Sequence, residues 1–206
     1  MQIAVSIEPY LGVEKTKLTQ YIESIVKLNH EFAKKGDHLV LHFDYFKLNP
    51  EIFQLVQGYT KQIDIDLHLM QESVPSVTGF RSVSVDLSKQ PRNLPPVMPS
   101  QYGLVLDLGC DWRKFENFVR TASYIIIMTV KCGKSGQNFQ SSALKLIPQV
   151  RALNPNAVII IDGGVNDSNI DLLKNAGVDV AVVGNYAKNC YETENLAIGI
   201  NRLLHK

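Results

Sequence analysis

Eight short apolar runs, rich in Val and Ile and nearly continuous, punctuate the chain. They are IAVS (3–6), HLVLHFD (38–44), IDIDLHLM (63–70), SVSVDL (82–87), YGLVLDL (102–108), YIIIMTV (124–130), AVIIIDG (157–163) and VDVAVVG (178–184). Runs of this length with little polar alternation read as strands buried on both faces, the pattern of a parallel sheet covered by helices. Helical periodicity falls between them. In 14–35, Leu18, Tyr21, Ile22, Ile25, Val26, Phe32 and Ala33 recur on one face, and Lys34-Lys35-Gly36 supplies basic residues and then a helix-ending glycine. Asn49-Pro50 caps and opens a second helix. Residues 111–122, 140–153, 167–176 and 192–205 carry further helical patterns, and Gly177 ends one of them just before the last strand.

Strands alternating with helices eight times predict a closed (β/α)8 TIM barrel, with an open doubly wound sheet as the alternative. At 206 residues the chain is short for a barrel, which typically needs about 250. The shortening is local. QESVPSVTGFR leaves little room for a helix after the third strand, and SKQPRNLPPVMPSQ after the fourth carries prolines at 91, 95, 96 and 99. The helices around strands 3–5 are therefore expected to be reduced, with those strand faces covered by a packed loop or by a partner in a homo-oligomer. One domain, 1–206, is expected, without repeats or linker. A formal net charge of +1 argues against a nucleic-acid footprint, and no apolar run is long enough to span a membrane. The N-terminus lacks the pattern of a signal peptide, and Cys110, Cys132 and Cys190 suggest neither a disulfide framework nor a paired metal motif. A reduced, cytoplasmic protein is the expectation.

In such barrels the active site gathers at the C-terminal ends of the strands. Residues two apart on a strand share a face, so His42 and Asp44 point the same way, as do Asp66 and His68. Asp162 ends the seventh run. A single His on an apolar strand is ordinarily a hydrogen-bonded core residue, and Asp66 reads as a barrel-layer hydrogen-bond partner. The group His42, Asp44, His68 and Asp162 is different, because burying four such side chains is costly without a shared purpose. A divalent cation would satisfy all of them. Glycine-rich segments close three strands: KCGKSGQNF (131–139), Gly163-Gly164 and Gly184-Asn185. Each alone is a turn; together, at these strand ends, they point to a phosphorylated ligand.

HFD (42–44), DLHLM (66–70), MTVKCGKSGQNF (128–139), IIDGGV (161–165) followed by NAGVDV, and the glycine ending the last strand resemble the ribulose-phosphate 3-epimerase family in kind and in order. The resemblance runs from Ser6 to about Gly184. It implies that His42, Asp44, His68 and Asp162 bind one divalent metal ion (Zn, Fe, Mn or Co), and that Asp44 and Asp162 are also the acid/base pair. It implies that Ser6 and His68 contact the sugar and that Met70 and Met128 line the reacting carbon. Gly133, Gly136, Gly163, Gly164, Gly184 and Asn185 would hold the phosphate. The implied activity interconverts D-ribulose 5-phosphate and D-xylulose 5-phosphate through an enediolate.

The chain departs from that pattern in places. Phe46-Lys47-Leu48 replaces Met-Asp-Gly after the second strand. Cys132, Lys134 and Ser135 replace the Pro, aromatic and Gly of the sixth loop. Ser84 and Asp86 stand where the family has His and Glu, and Asn185 replaces a serine. Three functions fit the residues: this epimerase or one for another ketose phosphate such as allulose 6-phosphate, a hexulose-phosphate synthase or decarboxylase, and a non-catalytic sugar-phosphate-binding paralogue. The second would use Lys on the third strand, where this chain has His68.

Overall fold

The computed structural model describes residues 1–45, 49–70, 77–87, 100–131 and 136–205. Each apolar run forms a strand: β1 (Gln2–Ser6), β2 (Leu39–Tyr45), β3 (Asp64–Leu69), β4 (Ser82–Asp86), β5 (Tyr102–Leu106), β6 (Tyr124–Met128), β7 (Val158–Asp162) and β8 (Val180–Val183). All neighbours pair in parallel and β8 returns to β1, closing an eight-stranded TIM barrel and excluding the open sheet. Alternation along each strand sends one set of side chains inward and the other outward. Ala4, Val40, Val105, Ile126, Ile160, Val180 and Val182 make an apolar plug inside the barrel. Ile3, Val5, Leu39, Leu41, Ile125, Ile127, Ile159 and Ile161 belong to a separate, larger core outside it.

The outer helices are α1 (Lys15–Ala33), α2 (Pro50–Gln57), α3 (Glu116–Val119), α4 (Leu146–Leu153), α5 (Ile170–Asn175), α6 (Asn185–Thr193) and α7 (Leu196–Leu204). Helix α1 buries Leu18, Tyr21, Ile22, Ile25 and Phe32, as its periodicity predicts. The Asn49 side chain caps α2 by accepting from the Ile52 amide at 3.2 Å. Gly36 (φ 89°) and Gly177 (φ 76°) take the left-handed conformation that ends a helix.

Three expected helices are shorter than their patterns, and one is two helices. The 111–122 segment is a 3-10 turn, Trp112–Phe115, followed by the single turn of α3. The 140–153 segment opens as a 3-10 turn, Ser141–Lys145, and becomes α-helical only at Leu146. Pro148 explains the change, because it has no N–H to give Leu144 and is accommodated only in the first turn of a new helix. The 167–176 pattern yields only α5. The expected last helix, 192–205, is divided at Glu194, and α6 begins earlier, at Asn185. Its buried face is Ala187 and Cys190, too short a pattern to stand out in the sequence. Gly199 of α7 packs on this face so closely that a Cβ there would lie 2.4 Å from Cys190 Sγ.

No α-helix occurs among the described residues between β3 and β5, in line with the expected reduction. The outward residues Val83, Val85, Leu104 and Leu106 are nevertheless buried within the single chain. At the N-terminal end of the barrel Arg81 grips Asp66 through Nε (2.8 Å) and Nη2, and reaches Gln2 Oε1 at 2.8 Å. Ser82 Oγ donates to Asp66 at 2.7 Å. Asp66 is thus the barrel-layer partner its position suggests. Cys110 and Cys190 are free thiols. No helix among the described residues is long and apolar enough to cross a membrane.

Candidate active site

The C-terminal ends of β2, β3 and β7 bring four ionisable side chains together. In the strand register Asp44 stands beside His68, and His42 lies between Ser6 on one side and Asp66 on the other. His42 and His68 have no exposed surface, and Asp44 is buried. His68 Nδ1 donates to Asp44 Oδ1 at 2.8 Å. His42 Nε2 lies 3.4 Å from Asp44 Oδ1 and 3.5 Å from Asp162 Oδ2. One ligand atom from each of the four residues falls within 4.8 Å of the others.

Electrostatics and hydrogen bonding both mark this cluster as incomplete. Burial opposes a charge on His42, but the facing carboxylates of Asp44 and Asp162 outweigh it and hold the imidazole pKa well above its ordinary value. Burial likewise pushes Asp44 up, and His42 and His68 outweigh that, holding its carboxyl well below the usual range. Both ring nitrogens of His42, and Nε2 of His68, are buried with no hydrogen-bond partner among the described residues. Such orphaned groups are rare unless something else satisfies them. The 3.4 and 3.5 Å separations around His42 fit a shared ion, since ligands about 2.1 Å from one tetrahedral ion lie about 3.4 Å apart. Two imidazoles and two carboxylates also suit a divalent cation of intermediate hardness. The cluster can therefore hold a metal ion.

Above these side chains opens a cavity of about 330 Å³. Asp44 and Asp162 form part of its floor, with Ser6, Met70 and Met128 around them, while His42 and His68 lie beneath. Ser6 Oγ accepts from the Glu8 amide at 3.1 Å and lies 3.4 Å from Asp44 Oδ2. The far end is lined by Gly136, Gly163, Gly164, Gly184 and Asn185. Gly133, Phe46, Lys47, Leu48, Cys132, Lys134 and Ser135 lie outside the described residues.

The backbone shows why this end is made of glycine. Gly163 (φ 118°) and Gly164 (φ 66°) form a left-handed turn directly after Asp162. A Cβ at Gly163 would lie 2.5 Å from Val130 Cγ2, and one at Gly164 would lie 2.7 Å from the Phe139 amide nitrogen. The turn is thereby pressed against the strand β6 loop. Asn166 and Asn169 both donate to the Gly164 carbonyl, at 3.1 and 3.0 Å. Gly184 is the N-cap of α6, with no side chain capping the first turn, so the helix presents free amides at the cavity. Asn166, Tyr186, Asn189 and Glu8 also line the cavity and were not singled out by the sequence. Tyr186 and Asn189, one turn apart, would have been found had α6 been read from its Ala187–Cys190 face.

Comparison with known proteins points to one family. Residues 98–187 match the profile of the ribulose-phosphate 3-epimerase family. The ribulose-phosphate 3-epimerase of Helicobacter pylori strain J99 is 29% identical over 157 residues, covering 69% of this chain and 71% of that protein. That of Aquifex aeolicus is 28% identical over 172 residues, covering 73% and 78%. The chain is similar to the ribulose-phosphate 3-epimerase family. A solved structure of KGPDC from Streptococcus mutans superposes with a TM-score of 0.65 at 9% identity, over 98% of this chain and 95% of that one. At that identity the likeness concerns the TIM-barrel fold. The family's profile covers β5 to β8, an arc that includes the Asp162 turn and the N-terminus of α6.

Proposed function

We propose that the chain is a metal-dependent 3-epimerase that interconverts D-ribulose 5-phosphate and D-xylulose 5-phosphate. The observation that carries this reading is the placement of Asp44 and Asp162. They reach one cavity floor from β2 and β7, which are separated by β8 and β1 in the closed barrel. Inverting a carbon next to a carbonyl requires one group to remove its proton and another to return one from the opposite side. Two carboxylates facing one cavity from different strands suit that task, and a non-catalytic binder would have no use for the pair.

His42, Asp44, His68 and Asp162 would hold the divalent ion, of the Zn, Fe, Mn or Co type. When bound, that ion supplies Lewis-acid stabilisation of the enediolate oxygens. The remaining roles belong to the chain. The Ser6 hydroxyl accepts from the Glu8 amide and donates to Asp44 Oδ2 at 3.4 Å, a long bond that a sugar oxygen would replace. His68 donates to Asp44 and fixes that carboxylate's orientation. Met70 and Met128 wall the reacting carbon from water. The Gly163-Gly164 turn, Gly136 and the Gly184-Asn185 start of α6 offer backbone amides and the positive end of a helix dipole to the phosphate. Lys131, the one basic side chain among the described residues of the cavity wall, stands exposed at its rim.

The test is exchange at C3. The metal-loaded protein is incubated with D-ribulose 5-phosphate in D2O and the C3 proton is followed by NMR. Loss of that signal with appearance of the xylulose epimer supports the reading. Absence of exchange with ribulose 5-phosphate, but turnover of a hexulose phosphate such as allulose 6-phosphate, would move the substrate by one carbon. Absence of exchange with either would remove the catalytic reading.

A further inference from the structure

Thr129 follows β6 immediately and has no exposed surface. Its polar groups converge on the backbone of the Asp162 turn. The Thr129 amide donates to the Asp162 carbonyl at 2.8 Å. Its hydroxyl faces the same carbonyl at 3.0 Å and the Gly163 carbonyl at 2.5 Å. The Thr129 carbonyl accepts from the Gln140 amide at 2.9 Å, on the returning leg of the β6 loop. One buried residue is therefore bonded to the Asp162–Gly163 and Gly163–Gly164 peptide units and to the loop packed over Gly164.

Backbone carbonyls at a strand end already have one ladder partner available; a side-chain hydroxyl aimed at two successive carbonyls is additional. The left-handed turn at Gly163 and Gly164 explains the need for it. Glycine leaves the backbone free to rotate, and this turn must aim the Asp162 side chain at the cavity floor while presenting amides at the far end. We infer that the Thr129 hydroxyl is a positioning group, clamping the Asp162–Gly163 backbone so that one rigid turn serves both proton transfer and phosphate binding. The inference rests on the epimerase reading for the first of these tasks and is independent of it for the second.

Thr129→Val keeps the branched shape and the backbone amide bond and removes only the hydroxyl; Thr129→Ser keeps the hydroxyl. Two readouts apply to each variant: kcat with D-ribulose 5-phosphate, and affinity for inorganic phosphate by 31P NMR titration, which needs no turnover. A misplacement on the order of 1 Å at a reacting group costs about a hundredfold in rate, so Thr129→Val is expected to lower kcat about ten- to hundredfold. Its phosphate affinity falls several-fold, and Thr129→Ser recovers both. A valine variant whose kcat and phosphate affinity stay within twofold of the parent, with only a lower Tm, overturns the inference, because Thr129 would then be a packing residue alone. An inactive parent that binds phosphate would defeat the epimerase reading, yet weakened phosphate binding in Thr129→Val would still uphold the clamp.

Discussion

Among the described residues, two polar clusters stand at opposite ends of this barrel, each built around a buried aspartate. At the N-terminal end Asp66 receives two bonds from Arg81 and one from Ser82, and Arg81 has Gln2 besides. Every charge there has its partner. At the C-terminal end two carboxylates surround His42, whose two ring nitrogens make no hydrogen bond among the described residues. A buried ion pair is tolerable when each group is matched in charge and hydrogen bonding, and costly otherwise. The lower cluster closes on itself and can serve stability. The upper one is completed only by something from outside the chain, and it lies beneath the cavity.

The largest effect that would break or sharpen this contrast is on turnover. Asp44→Asn and Asp162→Asn keep the volume and remove the base, and each is expected to cut kcat by about 10²–10⁴-fold. Circular dichroism should stay near that of the parent. If the two acids work from opposite sides, each variant should retain solvent exchange at C3 of one epimer and lose it for the other. Exchange lost equally for both epimers in both variants would deny separate roles.

Breaking the lower cluster should do the reverse. Arg81→Met leaves Asp66 buried with only Ser82 and is expected to cost about 3–5 kcal/mol of stability, the range for removing one partner of a buried pair. Urea unfolding would show it as a lower midpoint with unchanged slope. Activity per folded molecule should be retained. A large loss of kcat at full folding would mean that the two ends are coupled and the division drawn above is wrong.

The barrel and most of the upper cluster were legible in the sequence because their signals are strong and local. Eight Val/Ile runs leave few alternatives, and His42 with Asp44, two apart on one strand, can only share a face. Helix limits were less legible. Pro148 turned a continuous pattern into a 3-10 turn plus helix, and α6 was overlooked because only Ala187 and Cys190 mark its inner face. The clamp at Thr129 was invisible for a deeper reason. It is made to backbone carbonyls thirty-three and thirty-four residues away, and no residue type announces a backbone partner. Asp66 and Asp162 look equally polar in the sequence. What separates them is Arg81 and Ser82, brought alongside by strand register.

A smaller effect is expected at the phosphate end. Gly164→Ala combines a left-handed φ of 66° with a Cβ 2.7 Å from the Phe139 amide nitrogen, which is backbone and cannot swing aside. The conformational part alone costs about 1–2 kcal/mol. Relief of the contact would shift the turn, so affinity for inorganic phosphate should fall several-fold. An alanine variant with parental phosphate affinity would detach this turn from the ligand.

The release of a single proton is the most direct measure of how incomplete the upper cluster is. In the metal-free protein the Asp44 carboxyl is held below its ordinary 3.8, so its contribution to stability is present above that pH and is lost as pH falls through the lowered value. His42 is held above its ordinary 6.5, so its contribution is complete below 6.5 and fades as pH rises through the raised value. The metal-free protein should therefore be most helped by this cluster between those limits. A cation needs His42 without its proton. Below the raised His42 pKa, binding must expel that proton, and affinity should rise about tenfold, or about 1.4 kcal/mol, per pH unit. Calorimetric titration with Zn2+ in two buffers of different ionisation enthalpy would count the proton released near neutral pH. Release of about one proton in the parent and none in His42→Gln would place the expelled proton on His42, whereas equal release in both would place it elsewhere.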